Sequence, residues 1–393
     1  MTRRRRSTGD EGNLLLGIAI ILALIGALVA AAVVLNTARR RTTANLSGAP
    51  VEPSDNAPFV HVWSTPIRRP FVLEMANVPG QRGEFYALHD DLIYRFDSAG
   101  EKRDQFAAPQ NSSRLVTDRT GAVPHLLVVS RRTKSTGAID HVVTTDHFLH
   151  ALKDRGQVVW SKRFDPAKYS TLEPFAARSK QQPIVVLSAS RRLLALDANG
   201  TTRWDVEFWH HPGSVAVADL HGDGQGDLLA AKAPRLQIMR INDLGHVMAA
   251  WGAGDGPSRL RTMYSSATGF NAVSLRQVFG RGQGVSHALT FFDEAGTTIR
   301  EVELPPDASP LAYSPVTSMD VDGSGNQIWV IACGDGALHA YSSAGESLAH
   351  YQLGVRPRTY LAVAQASGPD LLVVATDAGL SAWRPVASRL SRK

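Results

Sequence analysis

The chain has 393 residues, 44% of them hydrophobic, with 42 basic and 36 acidic residues, a net charge of +6 and a single cysteine. One cysteine excludes an intrachain disulfide framework and a cysteine-based zinc site. The positive charge does not mark a nucleic-acid binder: Arg3 to Arg6 and Arg39 to Arg41 carry most of the excess, flank an apolar segment and leave the remainder nearly neutral, whereas a nucleic-acid-binding domain has a basic face of its own.

Residues 1–13 form a basic tail. From Leu14 to Leu35 run 22 residues without a charge. At ~1.5 Å per residue they make roughly 33 Å of helix, enough to span a bilayer. A cleavable signal has a shorter apolar core, about 7–15 residues, so 14–35 reads as an uncleaved transmembrane helix. Four arginines before it and three after it lean towards an inside N-terminus, which places the rest on the extracytoplasmic side, in a periplasm or on a cell surface. Gly26 and Ala30 form one small-xxx-small pair suited to helix packing. Residues 36–57, with Pro50 and Pro53 among small polar residues, read as an extended linker.

A repeat then begins. Phe59 to Ser64 is a short alternating strand standing alone. After it one unit recurs, a strand followed by a small-residue turn closing on glycine: Leu92–Gly100, Phe148–Gly156, Leu193–Gly200, Ile238–Gly245, Leu289–Gly296 and Leu338–Gly345. The glycines are 56, 44, 45, 51 and 49 residues apart, the period of a four-stranded propeller blade with variable loops. A partial seventh unit, Gly379–Pro385, ends before a fourth strand can form. The isolated strand at Phe59 supplies it and closes the ring, removing free sheet edges. The expected fold is all-β, a β-propeller of seven blades, with six to eight compatible with the repeat, over residues 58–388 with a tail at 389–393, preceded by one transmembrane helix.

Leu193–Trp204 and His150–Trp160, each ending Gly-x-x-x-Trp, resemble the PQQ-like (quinoprotein-type) repeat. The resemblance implies tryptophans packed between neighbouring blades. Only Trp160 and Trp204 fall in that register; after Gly100, Gly296 and Gly345 the place holds Asp104, Arg300 and Ala349. Asp219-Leu-His-Gly-Asp-Gly-Gln-Gly-Asp227 is similar to the FG-GAP (VCBS) repeat of integrin-type propellers. Aspartates at its first, fifth and ninth places, with glycines between, let alternate oxygens converge on a hard cation. Asp219, His221, Asp223, Gln225 and Asp227 are therefore the candidate calcium ligands, with His221 standing where an oxygen is usual. Gln277–Val285 reads as a cation-incompetent copy with Arg281 in place of Asp223. Asp320, Asp322 and Ser324 form a second calcium candidate whose last acid is lost to Ile328, and Pro369-Asp370 is a shortened relic.

No serine-elbow, zinc-protease or phosphate-loop motif is present, and Gly280, Gly282 and Gly284 fail the dinucleotide spacing. His210-His211 beside Trp209 and the arginine pairs at 68–69, 131–132 and 191–192 read as solvated loop or hairpin ends. Cys333 reads as a buried small hydrophobe. The sequence points to a non-enzymatic, membrane-anchored propeller that binds a protein or glycan partner and no nucleic acid, with Ca²⁺ as its one expected cofactor. A cell-surface sensor or adhesin differs from this only in partner. A quinoprotein-like dehydrogenase would require, as its family implies, eight tryptophan-docked blades, a bound calcium and a catalytic aspartate.

Overall fold

A computed structural model of the chain describes residues 57–390, except 68–71, 79–80, 118–125, 137–141, 166–167, 170–172, 179–182, 190, 208–211, 219–226, 233–236, 243, 253–257, 266–271, 280–284, 293–297, 306–307, 309 and 312–315. In parts of some strands only the backbone is described. The expected transmembrane helix at 14–35 and the linker to residue 56 lie outside the described residues. Among the described residues no helix is long and apolar enough to cross a membrane.

The described strands form seven four-stranded antiparallel sheets. The first strand in the chain, β1 (Phe59–Pro66), joins the last sheet. Sheet I holds β2 (Val72–Asn77), β3 (Phe85–His89), β4 (Leu92–Phe96) and β5 (Lys102–Ala107). Sheet II holds β6 (Ser112–Val116), β7 (Leu126–Thr136), β8 (Val142–Leu152) and, after a 3₁₀ turn, β9 (Val158–Phe164). Sheet III has β10 (Glu173–Arg178), β11 (Pro183–Ala189), β12 (Arg192–Asp197) and β13 (Thr202–Glu207). Sheet IV has β14 (Pro212–Ala218), β15 (Asp227–Lys232), β16 (Gln237–Ile241) and β17 (Val247–Gly252). Sheet V follows with β18 (Ser258–Ser265), β19 (Ala272–Phe279), β20 (Val285–Phe292) and β21 (Thr298–Glu303), and sheet VI with β22 (Val316–Asp320), β23 (Gln327–Ala332), β24 (Ala337–Ser342) and β25 (Ser347–Gln352). In sheet VII the order is β1, β28 (Gly379–Pro385), β27 (Leu371–Thr376), β26 (Thr359–Val363).

The leading strands β2, β6, β10, β14, β18, β22 and β26 touch in that order, and β26 touches β2 again. Sheets radiating from a closed cycle of inner strands make a β-propeller. Each sheet is too thin to bury its own faces, so the core lies between sheets. Leu88, Ile93, Leu126 and Val128 fill the seam from I to II; Leu149, Phe164, Leu194 and Leu196 the next; Phe291, Trp329, Ile331 and Tyr341 that from V to VI. Inner strands are consequently buried on both faces, as in Gln327–Ala332, while outer strands such as β5 and β13 alternate with solvent.

The last sheet is completed by the N-terminal strand. β1 pairs antiparallel with β28 from Phe59↔Pro385 to Pro66↔Gly379. A short helix, α1 (Ala387–Leu390), then folds back: Val386 N–H donates to Pro58 O and Arg389 donates to Ala57 O, while Leu390 is buried.

One expected loop homology is corrected. Asp219–Asp227 and Asp320–Ile328 join the first and second strands of their sheets, but Gln277–Val285 joins β19 to β20, the second and third strands of sheet V. It therefore lies at the opposite end of its sheet and is not a copy of the Asp219 loop.

Candidate functional site

The repeated glycine turn is built by an oxygen-bearing side chain three residues before the glycine. Asp97 Oδ1 accepts from the N–H groups of Ala99 and Glu101, and Gly100 N–H donates to Asp97 O. Asp197 and Asn242 repeat this with Asn199 and Thr201, and with Leu244 and His246. The glycines take φ of +76° to +84°, a region other residues enter at a cost.

These turns receive an aromatic ring from the preceding sheet. A Cβ added at Gly200 would lie 2.8 Å from the Trp160 ring, at Gly245 2.9 Å from Trp204, and at Gly100 2.6 Å from Trp63. Gly156 and Gly345 are met in the same way by Phe106 and Phe291. Trp63 Nε1 donates to Ser98 O at 2.7 Å and Trp160 Nε1 to Ala198 O at 2.8 Å, each two residues before its glycine. Two residues past each tryptophan, Thr65 Oγ1 and Lys162 Nζ donate to the glycine carbonyls themselves. Sequence register finds Trp160 and Trp204. It misses Trp63, which precedes its sheet in the chain, Phe106, two places beyond Asp104, and Phe291, on the strand opposite Arg300.

At the same end of the sheets the loop after β22 closes on itself. Asp320 Oδ1 accepts from the N–H groups of Asp322 and Gly323, and Oδ2 from Gly325 at 2.8 Å. Asp322 Oδ1 accepts from Ser324 N–H and from its hydroxyl at 2.7 Å; these bonds hold its carboxyl below the ordinary range. The loop also grips its neighbour: Asp320 N–H donates to Asp370 Oδ2, and Asp370 N–H returns a bond to Asp320 O. Beyond that, Gly83 N–H donates to Ala364 O, so the loops of sheets VI, VII and I are joined by hydrogen bonds in sequence.

Both Asp320 oxygens accept amide hydrogens, and Asp320, Asp322 and Ser324, the second calcium candidate, together shape this turn. Among the described residues no three His, Cys, Asp or Glu side chains gather as a metal site. In the Asp219 loop, Asp219, His221, Asp223 and Gln225 lie outside the described residues. Asp227 is described by its backbone, as the first residue of β15.

One histidine carries a polar cross-link of a different kind. His150 Nε2 bonds Ser130 Oγ at 2.9 Å and Nδ1 bonds Ser161 Oγ at 2.7 Å, bridging three strands of sheet II. Where a hydrolase would place a carboxylate on Nδ1 stands a second hydroxyl. Burial lowers the imidazole pKa, favouring the neutral ring that such a bridge needs. Cys333 is buried beside Tyr341, whose hydroxyl is pushed up to about 12 by burial first and the neighbouring thiol second.

No family model and no curated protein matches the chain. Solved structures of β-propeller proteins do. BBS1N, solved in complex with ARL6DN, has a TM-score of 0.59 at 10% identity, covering 86% of this chain and 98% of that one. Hydrazine synthase of Kuenenia stuttgartiensis has 0.57 at 11%, covering 82% and 97%. Hsv2 of Kluyvelomyces marxianus has 0.52 at 14%, covering 79% and 89%. At these identities the likeness is one of fold alone.

Proposed function

We propose that the chain is a membrane-anchored, extracytoplasmic seven-bladed propeller that acts as a non-catalytic binding or assembly scaffold for a protein or glycan partner. The observation that carries this reading is the position of β1. The strand next to the tether completes sheet VII and also docks Trp63 on sheet I, so the segment leading from the apolar helix enters a rigid ring at its closure. A rigid platform on a tether presents fixed loop ends to a partner at little entropic cost. The closed cycle of leading strands supports seven blades as the full set. Tryptophan on glycine across three seams supports PQQ-like repeats. Calcium belongs to the Asp219 loop in this reading, with Asp227 opening its strand where Asp370 precedes β27.

The same tryptophan–glycine contacts keep a quinoprotein-like dehydrogenase as the second reading. Two measurements on the full chain in native membranes decide. Protease added to intact spheroplasts should digest residues beyond 42, and chemical cross-linking should give a discrete protein or glycan adduct. Protection from protease would overturn the topology. Dye reduction on adding pyrroloquinoline quinone and calcium would replace the scaffold with the enzyme.

A further inference from the structure

The turn between β12 and β13 holds an asparagine followed by a glycine, Asn199-Gly200, a pair that occurs once in the 393 residues. Such a pair carries a reaction of its own. The glycine amide nitrogen, stripped of its proton, attacks the side-chain carbonyl carbon of the asparagine; a carbon–nitrogen bond forms, ammonia leaves and a five-membered succinimide remains. Water then opens the ring at either carbonyl to give aspartate or isoaspartate, with no change of oxidation state. Glycine eases the attack because no Cβ crowds the nitrogen, and Asn199 is exposed. Asn242, in the glycine turn of sheet IV, is placed differently: Asp243 follows it, and its side-chain oxygen accepts from Leu244 and His246 N–H.

Ring formation needs the Gly200 nitrogen to swing towards the Asn199 side chain, and the docked turn opposes that swing. Gly200 N–H donates to Asp197 O at 3.0 Å, while Asp197 Oδ1 accepts from the N–H groups on either side, Asn199 and Thr201, each at 2.9 Å. The Trp160 ring lies 2.8 Å from where a Gly200 Cβ would stand, and its Nε1 donates to Ala198 O. Lys162 Nζ donates to Gly200 O and to Thr202 Oγ1, both at 3.0 Å. The chain is thus pinned before and after the reacting bond. The Asp197 bonds act within sheet III, whereas Trp160 and Lys162 reach across from β9 of sheet II, so opening the seam between these sheets releases the turn.

We propose that Asn199 is a fold-gated deamidation site: it is dormant while its turn is docked on Trp160 and Lys162, reacts when the seam between sheets II and III opens, and as isoaspartate keeps that seam from closing again. Isoaspartate runs the main chain through its Cβ and lengthens it between Ala198 and Gly200. Ala198 O and Gly200 N–H then no longer meet Trp160 Nε1 and Asp197 O together. The turn keeps an irreversible chemical record of the propeller's local openings. This goes beyond the scaffold reading and does not depend on it.

The test incubates the full chain in detergent at neutral pH and follows its proteolytic peptides by mass spectrometry, with isoaspartate separated from aspartate by chromatography. In urea Asn199 should deamidate about tenfold faster or more than in the folded chain, tenfold being about 1.4 kcal/mol of turn opening. Trp160→Ala and Lys162→Ala should each raise the folded-state rate towards the urea rate, while hydrogen exchange at Leu193–Leu196 shows sheet III intact. Should Trp160→Ala not fold, Lys162→Ala carries the comparison, and Asn199→Ser is the unreactive control. Parent chain aged in urea and refolded should lose exchange protection in the Ala198–Thr201 turn in proportion to its isoaspartate. Equal rates in the folded and unfolded chain, or a folded Lys162→Ala that reacts no faster than the parent, overturn the gate. A refolded isoaspartate chain with the turn fully protected overturns the latch.

Discussion

Trp63 Nε1 donates to the carbonyl of Ser98 across the seam between the last sheet and the first. The donor lies on β1 and the acceptor in the glycine turn of sheet I, so one side chain ties the entry of the chain to its first complete sheet. Trp63→Ala should cost about 3 kcal/mol, since a large aromatic in a packed seam is removed. Trp63→Phe keeps the ring contact and loses the bond, a cost of about 1 kcal/mol. Urea unfolding monitored by circular dichroism separates the two.

Gly200 combines a φ of +82° with a Trp160 ring 2.8 Å from where a Cβ would stand. Gly200→Ala should destabilise by about 2 kcal/mol or more, from the left-handed backbone and the clash together. In the Trp160→Ala background the clash is gone, so the two substitutions should be non-additive by more than about 0.5 kcal/mol. Additive costs would show that ring and glycine do not meet.

Asp320 satisfies three amides and, through Asp370, joins two sheets. Asp320→Ala should lower stability by about 1–3 kcal/mol, and Asp370→Ala should couple to it in a double-mutant cycle. If its three amide bonds carry the whole effect, chelator should leave the cost of Asp320→Ala unchanged, and a chelator-sensitive cost would assign a cation to this loop. A calcium-dependent rise in melting temperature, if seen, should vanish with Asp223→Ala in the other loop.

His150 gives a pH dependence of fixed sign. Its folded pKa is lowered by burial from the unfolded value of 6.5, so between the two the unfolded chain binds more protons and stability rises with pH. The melting temperature should therefore fall as pH drops through 6.5 towards the folded value. His150→Gln should flatten that slope, and an unchanged slope would assign it to other groups.

Much of this architecture was legible because its signals are local. The glycine spacing marked six of the seven sheets, and the missing strand after Pro385 together with the stray one at Phe59 announced the closure that β1↔β28 pairing displays. The seam aromatics were less legible because they depend on which neighbour a side chain faces. Phe106 and Phe291 reach their glycines from different strand positions, and Trp63 precedes its sheet by most of the chain. The Gln277 loop misled because glycine spacing alone does not say which pair of strands a hairpin joins. Its distance to the next turn glycine did: Gly284 is 12 residues from Gly296, whereas Gly226 is 19 from Gly245. The turn role of Asp320 was hidden for another reason, since an aspartate that caps amides and one that binds a cation are written alike.

β1 closes the ring by pairing with β28, and native-state hydrogen exchange of the full chain against a variant lacking Phe59–Pro66 tests this directly. Loss of the strand should expose the outer edge of β28, speed exchange at Leu380–Trp383 and in the Ser98–Gly100 turn, and lower the melting temperature by the equivalent of several kcal/mol. Unchanged protection at β28 and an unchanged melting temperature would contradict it.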